Sequence, residues 1–487
     1  MKKLLFTISA LIVLTGCQNN QVEINTTYNE PLVGGVGDLS YGDVYEFDSG
    51  EPRSVSIATL DENRFVVCIA DYAGSGTSEG QCYVGSVSGT AISYGNASLY
   101  AANSYVLTEE TPCSVIKIGT DKIAVAYTDD TLDDGYARVG TTTGTAINGW
   151  GTATQFDTGN VEWISAVAIG EDKFVICYND ETDSDTGKCI VASVSGTTIS
   201  YGAETDFSVN DNYAKEINTV QLGTDKFASC FLAEDYDSVR CYTAAVSGTS
   251  INFGEALYLE SGDVNSGFYN IGLDSYEDDK FLASFREYTS AGEAIVATTI
   301  STTTATAGSD YSFKTPSASS FVAMTGANNA VILYATSSSN TSNLSSKYAT
   351  IDWGDKSITY GNEFIVEADL INDRYTDVSF LGAGKYVVCY QNYSDNRDGE
   401  CRIGSVGAES GEPTVNTCNY SGTGDWNVNY SDNCTASTTT WVKGNCNFNY
   451  DGAGSFSLRS LIQCDNINAG NGFKIDVENA SGKIEIY

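Results

Sequence analysis

KFVICYNDETDSDTGKCIVASVSGTTISYG, from Lys173 to Gly202, is the stretch that decides the fold. It opens on an apolar run, KFVICY, crosses an acidic loop and returns in KCIVASV. A short SGT turn leads to a last run, TISYG. Runs of β-branched and aromatic residues bounded by Gly, Asn and Asp read as strands. Gly in so short a connection fits a hairpin. The phrase occurs seven times. Aligned on the first apolar residue of the KFVIC-like run, the copies start at Phe65, Ile123, Phe174, Phe227, Phe281, Ala330 and Tyr386. Their spacings are 58, 51, 53, 54, 49 and 56 residues.

A period near fifty with four strand-like runs is what one blade of a β-propeller requires. In the first copy the runs are SVSIATL (54–60), RFVVCIA (64–70), CYVGSV (82–87) and TAISYG (90–95). They are strands A to D, from the central channel outward. The A-to-B turns LDEN, GTD, GED and GAG carry residues that tolerate unusual backbone angles. Copies five and six lack the SGT turn. The seventh copy has A, B and C but no I-x-Y-G strand after it, whereas Gly37-Asp38-Leu39-Ser40-Tyr41-Gly42 supplies that strand at the start. The two ends therefore complete one blade and remove two open sheet edges. An open array of repeats is the alternative. The expected fold is all-β: a seven-bladed propeller over 37–411, closed by the N-terminal strand, followed by a small β module over 412–487. The copies resemble the SGT-I-x-(Y/F)-G repeats of bacterial surface and secreted propeller proteins, a resemblance that implies the fold and no single activity.

The first residues have another purpose. Lys2 and Lys3 precede an apolar run, Leu4 to Leu14, that is too short to span a bilayer comfortably. It ends in Leu14-Thr15-Gly16-Cys17, which resembles the bacterial lipobox. That resemblance implies a signal peptide over 1–16, cleavage before Cys17, a lipid on Cys17 and attachment to a membrane; several buried acyl chains anchor firmly where one does not. Gln18 follows, not Asp, and by resemblance to enteric sorting rules this points to the outer membrane. Residues 17–36 then read as a polar tether.

Cysteines come in pairs. Copies one, three, four and seven have one in B and one in C: Cys68 and Cys82, Cys177 and Cys189, Cys230 and Cys241, Cys389 and Cys401. Copy two has Ala126 and Ala137 at those places. Facing residues on antiparallel strands lie about 4.5–5.5 Å apart, a suitable start for a cross-strand bridge. Four intra-blade disulfides are expected, in an oxidising compartment. Cys418, Cys434, Cys446 and Cys464 fall in the tail; 418–434 with 446–464 is the pairing favoured, others remaining open. Cys113 is left over and reads as a buried thiol.

From about Glu412 the vocabulary changes. GDWNVNYSDNCT is similar to the DW-x-V-x(3)-SDNCT segments that open β-solenoids in prokaryotic surface proteins. Trp426, Val428, Phe448, Phe456, Leu458 and Ile484 are among its apolar positions. A small β-sandwich is the other possibility for this tail.

The chain carries 25 Lys and Arg against 63 Asp and Glu, a net charge of −38. Such a surface repels nucleic-acid phosphates and anionic lipid. With no His, the His-based nucleophilic and general-base schemes are excluded, and zinc is a poor fit. The S-x-D-x-G-x-T-W boxes of propeller sialidases are missing. The acidic B-to-C loops offer oxygen ligands, and Asp180, Asp183 and Asp185 come nearest to a calcium set, although they miss the D-x-[DN]-x-[DN]-G register. Solvated loop charge is the plainer reading. Arg53, Glu162, Lys215 and Arg374, entering strand A, either ring the channel mouth or are ordinary polar ends of strands. Three functions fit: a lipid-anchored, non-enzymatic module for an envelope protein or glycan; a carbohydrate-active propeller using paired carboxylates; and an outer-membrane assembly scaffold, by fold analogy alone.

Overall fold

The computed structural model describes residues 39–407 except 73–77, 102–112, 130–132, 209–213, 234–237, 262–270, 287–291, 302–303, 315–318 and 337–340. Outside that range it describes residues 21–22 and short strands between 426 and 486. Contacts divide the chain into two units, one of residues 37–406 and the other of residues 1–36 with 407–487.

The larger unit is a seven-bladed propeller. Blade 3 shows the plan: A is Val161–Gly170, B is Lys173–Asp180, C is Thr186–Ser195 and D is Thr198–Tyr201, paired in that order and antiparallel. FVICY, after Lys173, has no charged residue because B is buried on both faces, packed between neighbouring blades. TISY alternates because D is the outer edge. Blades 1, 2, 4 and 5 repeat the order as separate sheets. Blades 6 and 7 share one long strand, Ser357–Gly382. Its first part pairs with Thr341–Asp352 as D of blade 6, and its last part pairs with Lys385–Asn392 as A of blade 7.

The ring closes where the sequence predicts. Leu39, Ser40 and Tyr41 pair antiparallel with Val406, Ser405 and Gly404, in the sheet that holds Cys389 and Cys401. Leu39 is buried, the Tyr41 hydroxyl donates to Ser346 Oγ at 2.7 Å, and the Tyr386 hydroxyl donates to that of Tyr41 at 2.6 Å. One apolar cluster joins Val387 and Ile403 of blade 7 to Ile57, Phe65 and Val67 of blade 1.

Structure gives the repeat's signature its physical reason. Gly196 in SGT has φ +64° with open space around it, so backbone conformation alone requires glycine there. Gly202, ending ISYG, has a different reason: a Cβ on it would lie 2.3 Å from the carbonyl oxygen of Thr249, in the next blade's SGT turn. The ISYG end of one blade thus seats on the SGT turn of the next. On the same face, Lys122, Lys173 and Lys226 bridge to Asp172, Asp225 and Asp279 of the following blade at 2.6–2.9 Å. These carboxylates are substantially exposed, so each bridge contributes only about 0–1 kcal/mol.

An element unforeseen in the sequence is a fifth outer strand. After the D-strand glycine the chain turns back onto C, as Tyr45–Asp48, Ser98–Ala101, Thr154–Asp157 and Thr205–Asp206. An aromatic residue in it, or just after it in blade 3, covers a glycine of strand C: Phe47 over Gly399, Tyr100 over Gly80, Phe156 over Gly135 and Phe207 over Gly187.

The tail is a β-solenoid, which sets the sandwich aside. Its strands pair parallel, as a sandwich of antiparallel hairpins cannot. Trp426–Asn429, Asn445–Asn449 and Asn466–Ala469 stack as one face. Cys434–Ala436, Phe456–Leu458 and Asp476–Val477 make the second, and Thr440–Trp441, Leu461–Cys464 and Lys483–Ile486 the third. In register, Val428 lies over Phe448 and Ile462 over Ile484. The stretch expected as a plain tether contributes Gln21–Val22, antiparallel to Lys483–Ile486.

Candidate functional site

The channel is lined by the A strands, and hydrogen bonds at one register position tie them together. Ser56, Ser114, Asn218 and Asp377 each stand opposite the same B-strand place: Cys68, Ala126, Cys230 and Cys389. Ser56 Oγ accepts from Val115 N (3.0 Å) and Ser114 Oγ from Ala166 N (2.9 Å). Asn218 Nδ2 donates to Ile271 O (2.8 Å), and Asp377 Oδ2 accepts from Ile57 N (2.7 Å). Each bond runs from one blade to the next, with blade 7 reaching blade 1.

Just before this ring the A strands bulge. The pairing register shifts between Arg53 and Val55, Glu162 and Ser165, and Lys215 and Asn218. Ser54, Trp163 and Glu216, the residues inside those bulges, have φ of +57°, +51° and +52°. A bulge re-aims a side chain, and a bulky residue in this region stores strain of about 1–3 kcal/mol. Together with Ser165, Arg374 and Thr376 they line a pocket of about 170 Å³ where the D-to-A connections enter the channel. The expected ring of charge is therefore corrected by one residue in three blades. Arg374 lines the pocket, but Ser54, Trp163 and Glu216 stand where Arg53, Glu162 and Lys215 were expected. The bulge's extra residue shifts the phase.

Deeper in the channel a second cavity of about 210 Å³ holds Asp274 and Asp377. Burial pushes Asp274 up to about 6 against two backbone hydrogen bonds, from Met324 N (2.7 Å) and Ser275 N (2.8 Å). Burial likewise pushes Asp377 up to about 7, with the nearby charge of Asp274 adding to it. Its second oxygen accepts from Val378 N at 2.7 Å.

A third cavity, about 320 Å³, lies at the outer edge of blades 2 and 3, among Asp157, Asp180, Lys188 and Glu204. The Lys188 ammonium contacts Asp180 Oδ2 at 2.7 Å and Asp183 Oδ2 at 3.0 Å. Burial alone would raise the Asp180 carboxyl, but hydrogen bonds from Lys188 and Thr182 outweigh it and hold the group below its usual value. Asp180 also caps the Glu181–Asp183 turn, accepting from Thr182 N and Asp183 N. Of the three residues expected nearest to a calcium set, Asp180 and Asp183 are thus paired with a lysine. Lys188 brings the cation to the first two, and Asp185 is a left-handed loop residue. Among the described residues no group of three or more Asp, Glu or Cys is placed to hold a metal ion.

The four blade disulfides are present: Cys68–Cys82, Cys177–Cys189, Cys230–Cys241 and Cys389–Cys401, with Cα atoms 4.0–4.1 Å apart. They face the interblade cores, as Cys177 and Cys189 do beside Phe227 and Phe231. Cys113 is a buried free thiol lining the mouth pocket; Ser54 Oγ accepts from its N–H at 2.7 Å. Burial raises the thiol above its ordinary value, against hydrogen bonds to Ser54 and Tyr100. Cys17, Cys418 and the side chains of Cys434, Cys446 and Cys464 lie outside the described residues, and so does the expected tail pairing. Residues 130–132 and 234–237 of the acidic loops lie outside them too.

Residues 1–18 match the family model of the prokaryotic membrane lipoprotein lipid attachment site. The chain carries the signal of an exported, lipid-anchored envelope lipoprotein. No curated protein sequence matches it. Among solved structures it is similar to AofleA from Arthrobotrys oligospora, at 12% identity and TM-score 0.39, over 69% of this chain and 93% of that one. It is also similar to the intramolecular trans-sialidase from Ruminococcus gnavus, at 10% identity and TM-score 0.42, over 74% and 96%. A third is the fucose-specific lectin from Aleuria aurantia, at 10% identity and TM-score 0.40, over 65% and 96%.

Proposed function

We propose that this lipoprotein is a non-enzymatic binding module of the cell envelope, held at the outer membrane by the lipid on Cys17, with a protein or glycan as its ligand. The observation that carries this reading is the mouth pocket. Its walls come from several blades, and three of them hold a non-glycine residue in the left-handed region to build it. Strain kept at one place in three of the repeats, blades 1, 3 and 4, supports reading it as a built site. The carboxylates below it serve the scaffold: Asp274 and Asp377 each accept two backbone N–H bonds.

A specific observation favours the enzymatic alternative: those two carboxyls share one cavity and both are pushed up towards neutrality, as a general acid requires. One experiment separates the readings. The lipoprotein, purified in detergent, is screened for retained envelope proteins and glycans and, in parallel, for glycan hydrolysis. Retention without turnover supports a binding module. Turnover that Asp274→Asn or Asp377→Asn abolishes supports the enzyme. Cys17→Ala should release the protein from the membrane fraction, and sucrose-gradient separation of the wild type should place it with the outer membrane.

A further inference from the structure

We propose that the last rung of the β-solenoid lies against the headgroup layer of the membrane, held there by the short strand that follows the lipid. This goes beyond the binding reading above and does not depend on which ligand the propeller takes.

The first observation is a length. Gln21 and Val22 pair antiparallel with Glu485 and Ile484, in the strand Lys483–Ile486 that ends the third solenoid face. Only Gln18, Asn19 and Asn20 separate Gln21 from Cys17, within the matched lipid attachment site. A chain reaches at most about 3.6 Å per residue, so four steps span no more than about 14 Å. Acyl chains buried in the hydrocarbon hold Cys17 at the bilayer surface. Had residues 17–36 remained a free tether, the same reckoning would allow about 70 Å.

The second observation is where that strand sits. The third face runs Thr440–Trp441, Leu461–Cys464, Lys483–Ile486 and then Gln21–Val22. The lipid is therefore joined to the end of the stack and not to its side. Asn466–Ala469 and Asp476–Val477, which end the other two faces, have no further strand beyond them among the described residues. Their outward backbone groups need water or another polar partner, which headgroups supply and hydrocarbon does not. The contact accordingly stops at the headgroups.

Charge agrees with this placement. Residues 37–406 hold 52 Asp and Glu against 19 Lys and Arg, whereas residues 407–487 hold nine against four. Anionic headgroups repel negative charge within a Debye length, about 8–10 Å. The unit that pairs with the N-terminal strand is the one that can come so close.

The test places the full lipoprotein on vesicles of phosphatidylethanolamine and phosphatidylglycerol, acylates its lysines and reads each by peptide mass. Lys474 and Lys483, in the last rung, should react several-fold more slowly than in soluble Cys17→Ala protein; Lys443, in the first rung, should react alike in both. About forty Gly and Ser residues inserted between Asn20 and Gln21 leave the lipid and the pairing in place and raise the mean reach to about 35 Å. Lys474 and Lys483 should then approach the soluble rate. Val22→Cys with Ile484→Cys tests the pairing itself, since facing residues on antiparallel strands lie about 4.5–5.5 Å apart; oxidation should yield a peptide linking positions 22 and 484. Equal lysine rates on vesicles and in solution would overturn the proposal, whatever the propeller binds. Protection that survives the long insertion would overturn it too, because the short link would not be its cause. Absence of the linked peptide would remove the strand that sets the distance and the proposal with it.

Discussion

Asp377 makes stability depend on pH in a direction opposite to that of most acidic residues. Its carboxyl is raised from 3.8 to about 7 in the folded ring, first by burial and then by Asp274. Between those values the folded protein holds a proton that the unfolded chain has released. Stability therefore falls as pH rises through the window and levels off above about 7. The shift corresponds to about 4 kcal/mol. Because Asp377 is partly exposed to the channel, solvent screening leaves about 2–4 kcal/mol. Asp377→Asn keeps a carbonyl for one of the two backbone donors, Ile57 N and Val378 N, and cannot ionise. It should cost stability near pH 4 and progressively less towards pH 8, with the gap to wild type closing by about 2–4 kcal/mol. Urea midpoints of both proteins at half-unit steps from pH 4 to 8 measure this. Parallel curves would refute the account, since the carboxyl would then titrate alike folded and unfolded.

Other perturbations test other parts of the ring. Cys177→Ser with Cys189→Ser, closing a 12-residue separation, should lower stability by about 2–3 kcal/mol under oxidising conditions and by nothing under strong reductant. Lys188→Met leaves the Asp180 carboxylate in place with its buried counter-ion removed and should cost about 3–5 kcal/mol in urea unfolding at pH 7. Gly95→Ala would put a Cβ 1.8 Å from Thr145 O, in the next blade, and should destabilise by more than about 2 kcal/mol. Gly119→Ala meets nothing closer than Asp172 Oδ1 at 4.0 Å and should be near neutral in the same melt.

The periodic part of this fold was legible because each repeated residue answers a repeated constraint. Gly196 needs its φ and Gly202 needs its clearance, so both recur wherever the turn and the seat recur. Paired cysteines were legible because two facing places on B and C are either both bridged or both not. The seventh blade's missing strand was legible as a gap and a surplus that match. The channel mouth was not legible, and the reason is local. Ser54, Trp163 and Glu216 share a backbone state but no side-chain chemistry, and none is a residue that favours positive φ. Choosing the charged residues at the entry to the A strands pointed one step away from where the wall stands, because the bulge is not marked in the sequence. The pairing within the Asp180 loop was not legible for a related reason. The cation of Asp180 and Asp183, Lys188, lies in the next strand, Thr186–Ser195, and spacing alone does not fold it back onto the loop.

Joining the first strand of the ring to its last blade has a consequence for how the protein is made. Leu39–Tyr41 leaves the secretion pore early, and its partner, Gly404–Val406, follows more than 360 residues later. Until then blade 7 lacks its outer member, and the lipid-bearing end of the chain waits on the membrane for a companion still in transit. A polypeptide cut short anywhere before residue 404 never acquires that companion. Completion of the circle thus reports that nearly the whole ring has been exported, and an envelope protease that samples loose N-terminal segments would remove unfinished copies and spare closed ones.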